Sequence, residues 1–260
     1  MAGVSVRARR WASTVGLVAA WQVASSVGAV EATVLPGPVS LVGTAAGMVA
    51  DGTLPQALAV SLGRVLVGSA IGLVLGVLLG LCAGLWRLGE DLVDAPVQML
   101  RTVPFTALTP VLVLWLGLGE APKVALVVIA TVVPMYLNTF GGVRAVDPRL
   151  LEVGAVYGLS ARQRAARILL PGAVAPILVG LRYALGLAWI AVIVAETANA
   201  SSGIGHLLTT ARTYVRTDIM LVCVAVYAVL GLVTDAVVRV AERRLLRWRA
   251  APSPLTTERL

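Results

Sequence analysis

Long apolar runs separated by short polar stretches are the first pattern along the chain. Residues 11–30 (WASTVGLVAAWQVASSVGAV), 63–86, 101–119 (RTVPFTALTPVLVLWLGLG), 123–141, 172–196 and 219–238 each approach the ~20 apolar residues that one helical crossing of a bilayer requires. The pattern predicts an all-α polytopic membrane protein with six transmembrane helices. Residues 31–56, with Pro36, Pro38 and Pro55, read as a loop holding a short interfacial helix; WRLGEDLVDAP (86–96) reads as a polar connection and GEAPK (119–123) as a tight turn. A basic start and small residues near Ala29 also suit a cleaved signal peptide, but the length of the first run and its Trp11 and Trp21 favour a retained helix. Pro104 and Pro110 free backbone carbonyls in the third run, which is tolerable where neighbouring helices or a water-lined cavity satisfy them.

Within the second run, Gly68, Gly72, Gly76, Gly80 and Gly84 recur at every fourth position. Helices in lipid gain no hydrophobic energy from one another, so a strip of glycine that lets two backbones close up is a means of association. Glycine is frequent in membrane helices generally. Five in unbroken register mark a packing face and set this helix at the centre of the bundle.

Composition strengthens the reading. Mean hydropathy is +0.91 and 13% of residues are charged, against the roughly one quarter that a soluble domain carries. The net charge of +8 would suit nucleic acid only if it were spread over a soluble surface. Instead the arginines gather at 7–10, 144–167 and 239–249, each group beside an apolar run. With the N-terminus in the cytoplasm, six crossings leave fifteen of the 21 basic residues inside and four outside: Arg64, Lys123, Arg212 and Arg216. Arg101 and Arg182 fall at or within spans. The expectation is a multi-pass protein of a cell membrane with both termini cytoplasmic, divided into a segment 1–10, a membrane domain 11–249 and a tail 250–260. Cys82 and Cys223 lie inside apolar runs, where small buried thiols are expected and a disulfide framework is not.

One cytoplasmic stretch, DPRLLEVGAVYGLSARQRAARILLP (147–171), is built differently. Leucine, valine and isoleucine recur at helical spacing, Gly158 breaks the run, Ser160 is placed to cap a second short helix and Pro171 begins the next span. Two short helices at an angle against the membrane face are predicted. An arginine-bearing loop can also simply rest at lipid headgroups, but here the spacing is more specific. Glu152, Gly158 six residues on, then Ile168, Leu170 and Pro171 resemble the cytoplasmic signature of ATP-binding-cassette importer permeases: EAA, three residues, G, nine residues, I, any residue, L, P. Val153 and Gly154 stand where that signature has two alanines. LPGP near residue 35, LTPVLVLWLGLGE (108–120), NTFGGVRAVDPRLLE (138–152), GLRYALGLAWIAVIVAE (180–196) and SSGIGHLL (201–208) are similar to the members that import nitrate, sulfonates, taurine and related small compounds.

The resemblance implies the type I importer permease fold and a transport subunit rather than an enzyme. Two copies, as a homodimer, would form the pathway in the lipid bilayer, an extracytoplasmic binding protein would deliver the solute, and two separate ATPase subunits would bind ATP and Mg and move the coupling segment. It assigns Leu151, Glu152, Gly154, Val156, Gly158, Leu159, Ile168, Leu170 and Pro171 to that contact, with Leu151, Val156 and Leu159 filling a groove on the ATPase and Glu152 capping or pairing with basic groups. The only lysine, Lys123, is preceded by Pro122 and followed by Val124, so the chain has no phosphate-binding loop, and no cofactor of its own is expected.

Charge at membrane depth points to function by default. Arg182 lies about ten residues into the fifth run, where it either lines the pathway and attracts an anion or structures a gate or helix contact. Glu196 falls at the outer end of the same run as an interfacial carboxylate, and Asp235 precedes Arg239 by one helical turn, as an intrahelical ion pair would. Trp189, Tyr136 and Asn138 either meet solute or pack, and the lone His206 suggests no metal site. Two rivals remain. A secondary transporter driven by an ion gradient would carry inverted repeats with interrupted helices, and no second half echoes the first. A non-transporting membrane scaffold would leave an added ATPase indifferent to binding protein and ligand.

Overall fold

The computed structural model describes residues 6–29, 31 and 33–246, and every element within them is helical. The expected tail 250–260 and residues 1–5 of the N-terminal segment lie outside the described residues.

Helix α1 (Val6–Ser26) covers most of the first apolar run; its apolar part, Val15–Ser26, is shorter than a bilayer crossing. The short helix expected in 31–56 is α2 (Pro38–Ala50), with Pro38 in the first turn, where no N–H is needed. Gly52 then takes φ 82°, and the Asp51 carboxylate accepts from the Thr53 amide at 2.9 Å and its hydroxyl at 2.6 Å, launching α3 (Thr53–Leu85). This helix starts ten residues earlier than its apolar run suggests, because the capping signal precedes the apolar stretch.

The expected polar connection 86–96 is instead the start of a helix, α4 (Arg87–Thr102), which buries Val97 on the same face as the half-buried Glu90 and Asp94 and leaves Leu88, Leu92 and Met99 exposed. The third run is not one straight crossing either. Val103 is extended, as a residue before proline must be, and Pro104 cannot donate back into α4. A 3-10 turn (Phe105–Leu108) and α5 (Thr109–Leu116) follow, at 92° to α4. Helix α6 spans Ala121–Arg144 and α7 Pro148–Val156; α8 (Ala161–Arg164) passes through a π turn (Ala165–Leu169) into α9 (Leu170–Asn199), and α10 (Ile204–Thr213) and α11 (Thr217–Leu245) complete the chain. Among the described residues four helices, α3, α6, the continuous run Ala161–Asn199 and α11, are long and apolar enough to cross a membrane, and the bent pair α4–α5, taken as one span, makes a fifth.

The chain forms two compact units. One, made of the residues up to Gly63 and Ile193–Val229, has a core of Met48, Leu54 and Val222 with Leu41, Leu207 and Ile219 packed on it. The other, Arg64–Val192 and the residues from Leu230 on, is built on Ala83, Val97 and Tyr136 with Leu79, Val133 and Phe140 around them; the Tyr136 and Phe140 rings stack at 5.8 Å. In this second unit Leu66, Val67, Ile71, Val74 and Leu78 of α3 are exposed, an apolar face suited to lipid. Both cysteines are free, Cys223 buried and Cys82 half-buried.

Candidate coupling site and buried polar contacts

Each of the two short helices in segment 147–171 is started by a side-chain cap. The Asp147 carboxylate accepts from the Arg149 amide at 2.9 Å and Pro148 sits in the first turn of α7. Gly158 takes φ 76°, a left-handed turn that glycine adopts without penalty, and the Leu159 amide bonds back to the Gly154 carbonyl at 2.9 Å. Ser160 and Gln163 then form a reciprocal capping box that starts α8. The expected break and cap are where the sequence placed them.

Pro171 differs from expectation: it does not begin the next span but lies one residue into α9, which continues from α8. A proline inside a helix clashes with the carbonyl four residues back. The π turn just before it, with the Leu170 amide bonded to the Ala165 carbonyl, widens the backbone where that clash would fall and keeps the helix unbroken.

The two arms of the segment touch. A Cβ on Gly154 would come within 2.9 Å of Ile168 Cδ1 and 3.3 Å of Arg164 Cγ, so two positions of the motif pack on each other. Of the three apolar residues assigned to a groove on a partner, only Val156 is fully exposed, at 87%; Leu151 and Leu159 are half-buried against this chain, Leu151 lining a cavity of about 540 Å³ with Leu85 and Trp86. The outward apolar positions are instead Leu150, Val153, Val156 and Tyr157. Sequence periodicity shows two apolar stripes on a nine-residue helix and does not say which faces inward. Glu152 is exposed and makes no hydrogen bond or ion pair among the described residues; Leu170 is partly exposed.

The glycine strip meets α6 rung by rung. Cβ atoms added at Gly68, Gly76 and Gly80 would lie 2.6 Å from the Cβ atoms of Val127, Met135 and Thr139; one at Gly84 would lie 2.9 Å from Val143, and one at Gly72 would overlap the Thr131 hydroxyl. The partners also recur every four residues, in the same direction, so α3 and α6 are parallel and backbone-close along five turns. At one end of this contact Arg64, almost wholly buried, grips Glu120 with two bonds of 2.6 and 2.7 Å, and Lys123 adds a third at 3.2 Å. The Arg64 guanidinium, seconded by Lys123, holds the Glu120 carboxyl well below the usual range, at about 2.

Glu196, three residues before the end of α9, is enclosed by protein. It is 1% exposed and accepts from the Ser61 hydroxyl at 2.8 Å, the Gly205 amide at 2.8 Å and the Tyr227 hydroxyl at 3.3 Å; Ser61 in turn accepts from the Ile204 amide at 2.9 Å. A side chain at Gly203 or Gly205 would collide with Glu196. This knot ties together α3, α9, the SSGIG loop and α11 within one unit. Ser61 and Tyr227 escape sequence reasoning because nothing in their own neighbourhoods announces a distant carboxylate; the two glycines close behind Glu196 are the one local hint.

Arg182 pairs with Glu242 at 2.5 Å and Asp235 at 3.4 Å, and Asp235 also holds Arg239 at 2.8 Å. The geometry is a helix contact between α9 and α11. Trp189 is buried and donates to the Thr234 hydroxyl at 3.0 Å. Tyr136 is fully buried and donates to Asp94 at 3.0 Å, while Asn138 donates to the Pro134 carbonyl at 2.8 Å.

Residues 72–247 match the family model of the binding-protein-dependent transport system inner membrane component. The putative aliphatic sulfonates transport permease protein of Escherichia coli K12 is 45% identical over 246 residues, 95% of this chain and 94% of that protein. Its Bacillus subtilis 168 counterpart is 40% identical, covering 90% and 84%. Among solved structures, an amino acid ABC transporter superposes with a TM-score of 0.64 at 17% identity, over 79% of this chain and 97% of that one, which carries the fold. The signature in 147–171, the parallel glycine-lined helices and these matches agree: the chain belongs to the binding-protein-dependent transport family and is a permease subunit of an ATP-driven importer.

Proposed function

We propose that two copies of this chain form the membrane pathway of an importer for small organic sulfonates, that each copy receives a separate ATPase on α7 from the cytosol, and that an extracytoplasmic binding protein delivers the solute. ATP and Mg are held by the ATPases, and both termini of this chain are cytoplasmic, with α1 as a sixth crossing. The names of the two sulfonate-permease relatives support the solute class, and the grouping of arginines beside the inner ends of the spans supports the orientation. One observation carries the reading: the capped helix α7 presents Leu150, Val153, Val156 and Tyr157 outward as a compact apolar patch, the form a helix takes when it seats in a groove. An aspartate at Val156 puts a charge in the middle of that patch. In proteoliposomes with the ATPase and binding protein, Val156→Asp is expected to abolish sulfonate uptake and ligand-stimulated ATP hydrolysis and to prevent co-elution with the ATPase. Wild-type co-elution and uptake would overturn the assignment.

A further inference from the structure

Several cations of the spanning helices are paired within the chain. Arg64 and Lys123 share Glu120, Arg182 holds Asp235 and Glu242, and Arg239 holds Asp235. Arg101 has no hydrogen bond or ion pair among the described residues. It stands in the last turn of α4, immediately before the 92° bend, where the helix C-terminus tempers its charge without neutralising it.

Arg101 is also the one charged residue lining a cavity of about 240 Å³. The other walls are apolar: Val103 and Phe105 from the bend, Ile129 and Val133 from α6, and Leu187 from α9. Depth follows from those partners. Residues 129–137 are the middle of α6, a 24-residue helix that spans the membrane, so the cavity sits near the centre of the bilayer, beyond the reach of lipid headgroups. Pro134, also in the wall, has no N–H to give the Ala130 carbonyl, leaving an acceptor without its helical donor beside the cavity.

Arg101 is exposed in this chain, and a guanidinium facing a cavity at that depth marks a solute or ion pathway by default. Resting on the sulfonate reading above, we propose that Arg101 and this cavity form a transit site in the pathway for an amphiphilic anion: the guanidinium receives the sulfonate oxygens through paired N–H donors and the apolar walls take the alkyl chain. The site selects against cations and against anions whose tails exceed the cavity.

The test uses the complete importer, with its ATPase and saturating loaded binding protein, in vesicles of phosphatidylcholine alone, which carry no net surface charge to concentrate or repel the solute. Import of ethanesulfonate and hexanesulfonate is measured against ATP hydrolysed. Arg101→Gln is expected to lower the sulfonate moved per ATP about tenfold, the loss of a charge-assisted contact, and Arg101→Lys to restore much of it. Leu187→Trp keeps the charge and fills the cavity, and is expected to lower hexanesulfonate import several-fold more than ethanesulfonate import. A wild-type ratio in Arg101→Gln, a complex that fails to assemble in that variant but assembles and shows no chain-length shift in Leu187→Trp, or equal effects of Leu187→Trp on both solutes would overturn the transit site. Failure of the unmodified importer to move any sulfonate would overturn the solute assignment instead.

Discussion

Removing the Glu196 carboxylate is expected to be the most damaging single change in the molecule. In Glu196→Ala, the Gly205 amide and the Tyr227 hydroxyl lose their acceptor in a site that water does not reach, and the Ser61 hydroxyl loses the partner of its proton while still receiving the Ile204 amide. Each buried donor left without a partner costs about 1–3 kcal/mol. Counting the long Tyr227 bond at the low end, the sum is roughly 3–7 kcal/mol. For a chain of this size 1 kcal/mol moves Tm by about 2–4 °C, so the apparent melting temperature in detergent drops on the order of 10 °C. Glu196→Gln behaves differently. Its carbonyl oxygen can take the place of Oε2, which serves Gly205 and Tyr227, and its amide can face Ser61, whose oxygen has lone pairs to accept it; the loss is then about 1 kcal/mol. A melting curve for Glu196→Ala within 2 °C of wild type, or a Glu196→Gln variant as unstable as the alanine, would refute the account, the second by showing that the negative charge itself is required.

Three further outcomes follow from other contacts. Gly76→Ala places a Cβ 2.8 Å from the Val132 carbonyl, which cannot rotate away, and should cost about 1–3 kcal/mol, whereas Gly63→Ala in the same helix meets nothing within 4 Å and should gain up to about 1 kcal/mol; opposite shifts in melting temperature are the check. Because the Glu120 carboxyl is held near 2 against an ordinary 4.5, its contribution is complete above pH 4.5 and is lost as pH falls toward 2; Glu120→Gln should therefore flatten the acid limb of a stability profile and leave the region above pH 6 without slope from this group. Gly158→Ala meets no atom within 4 Å, so its penalty of about 1–2 kcal/mol is purely conformational; uptake and coupled ATP hydrolysis should fall together while the melting temperature changes by only a few degrees.

The glycine strip was legible in full because a four-residue period is a statement about one face of one helix, and the partner face on α6 needed only to exist. Gly158 and Ser160 were legible for a similar reason: a cap is a local bargain between a side chain and amides two or three residues away. What could not be read was direction. Apolar content announces 101–119 as membrane-soluble but is silent on the right angle at Val103 and Pro104, and the charges of Arg87 to Asp94 disguised an amphipathic helix as a linker. The enclosure of Glu196 could not be read because its partners Ser61 and Tyr227 are remote in sequence and individually unremarked.

The Gly68–Gly84 contact has one weakness that its regularity creates. Identical teeth mesh equally well one notch along: sliding α3 by a single turn, about 6 Å, would still engage four of the five rungs. Something must act as the pawl, and the two-pronged grip of Arg64 on Glu120 is suited to it, since its short bonds are satisfied in one setting alone. The ion pair's worth then lies less in holding the helices together than in telling them where to stop.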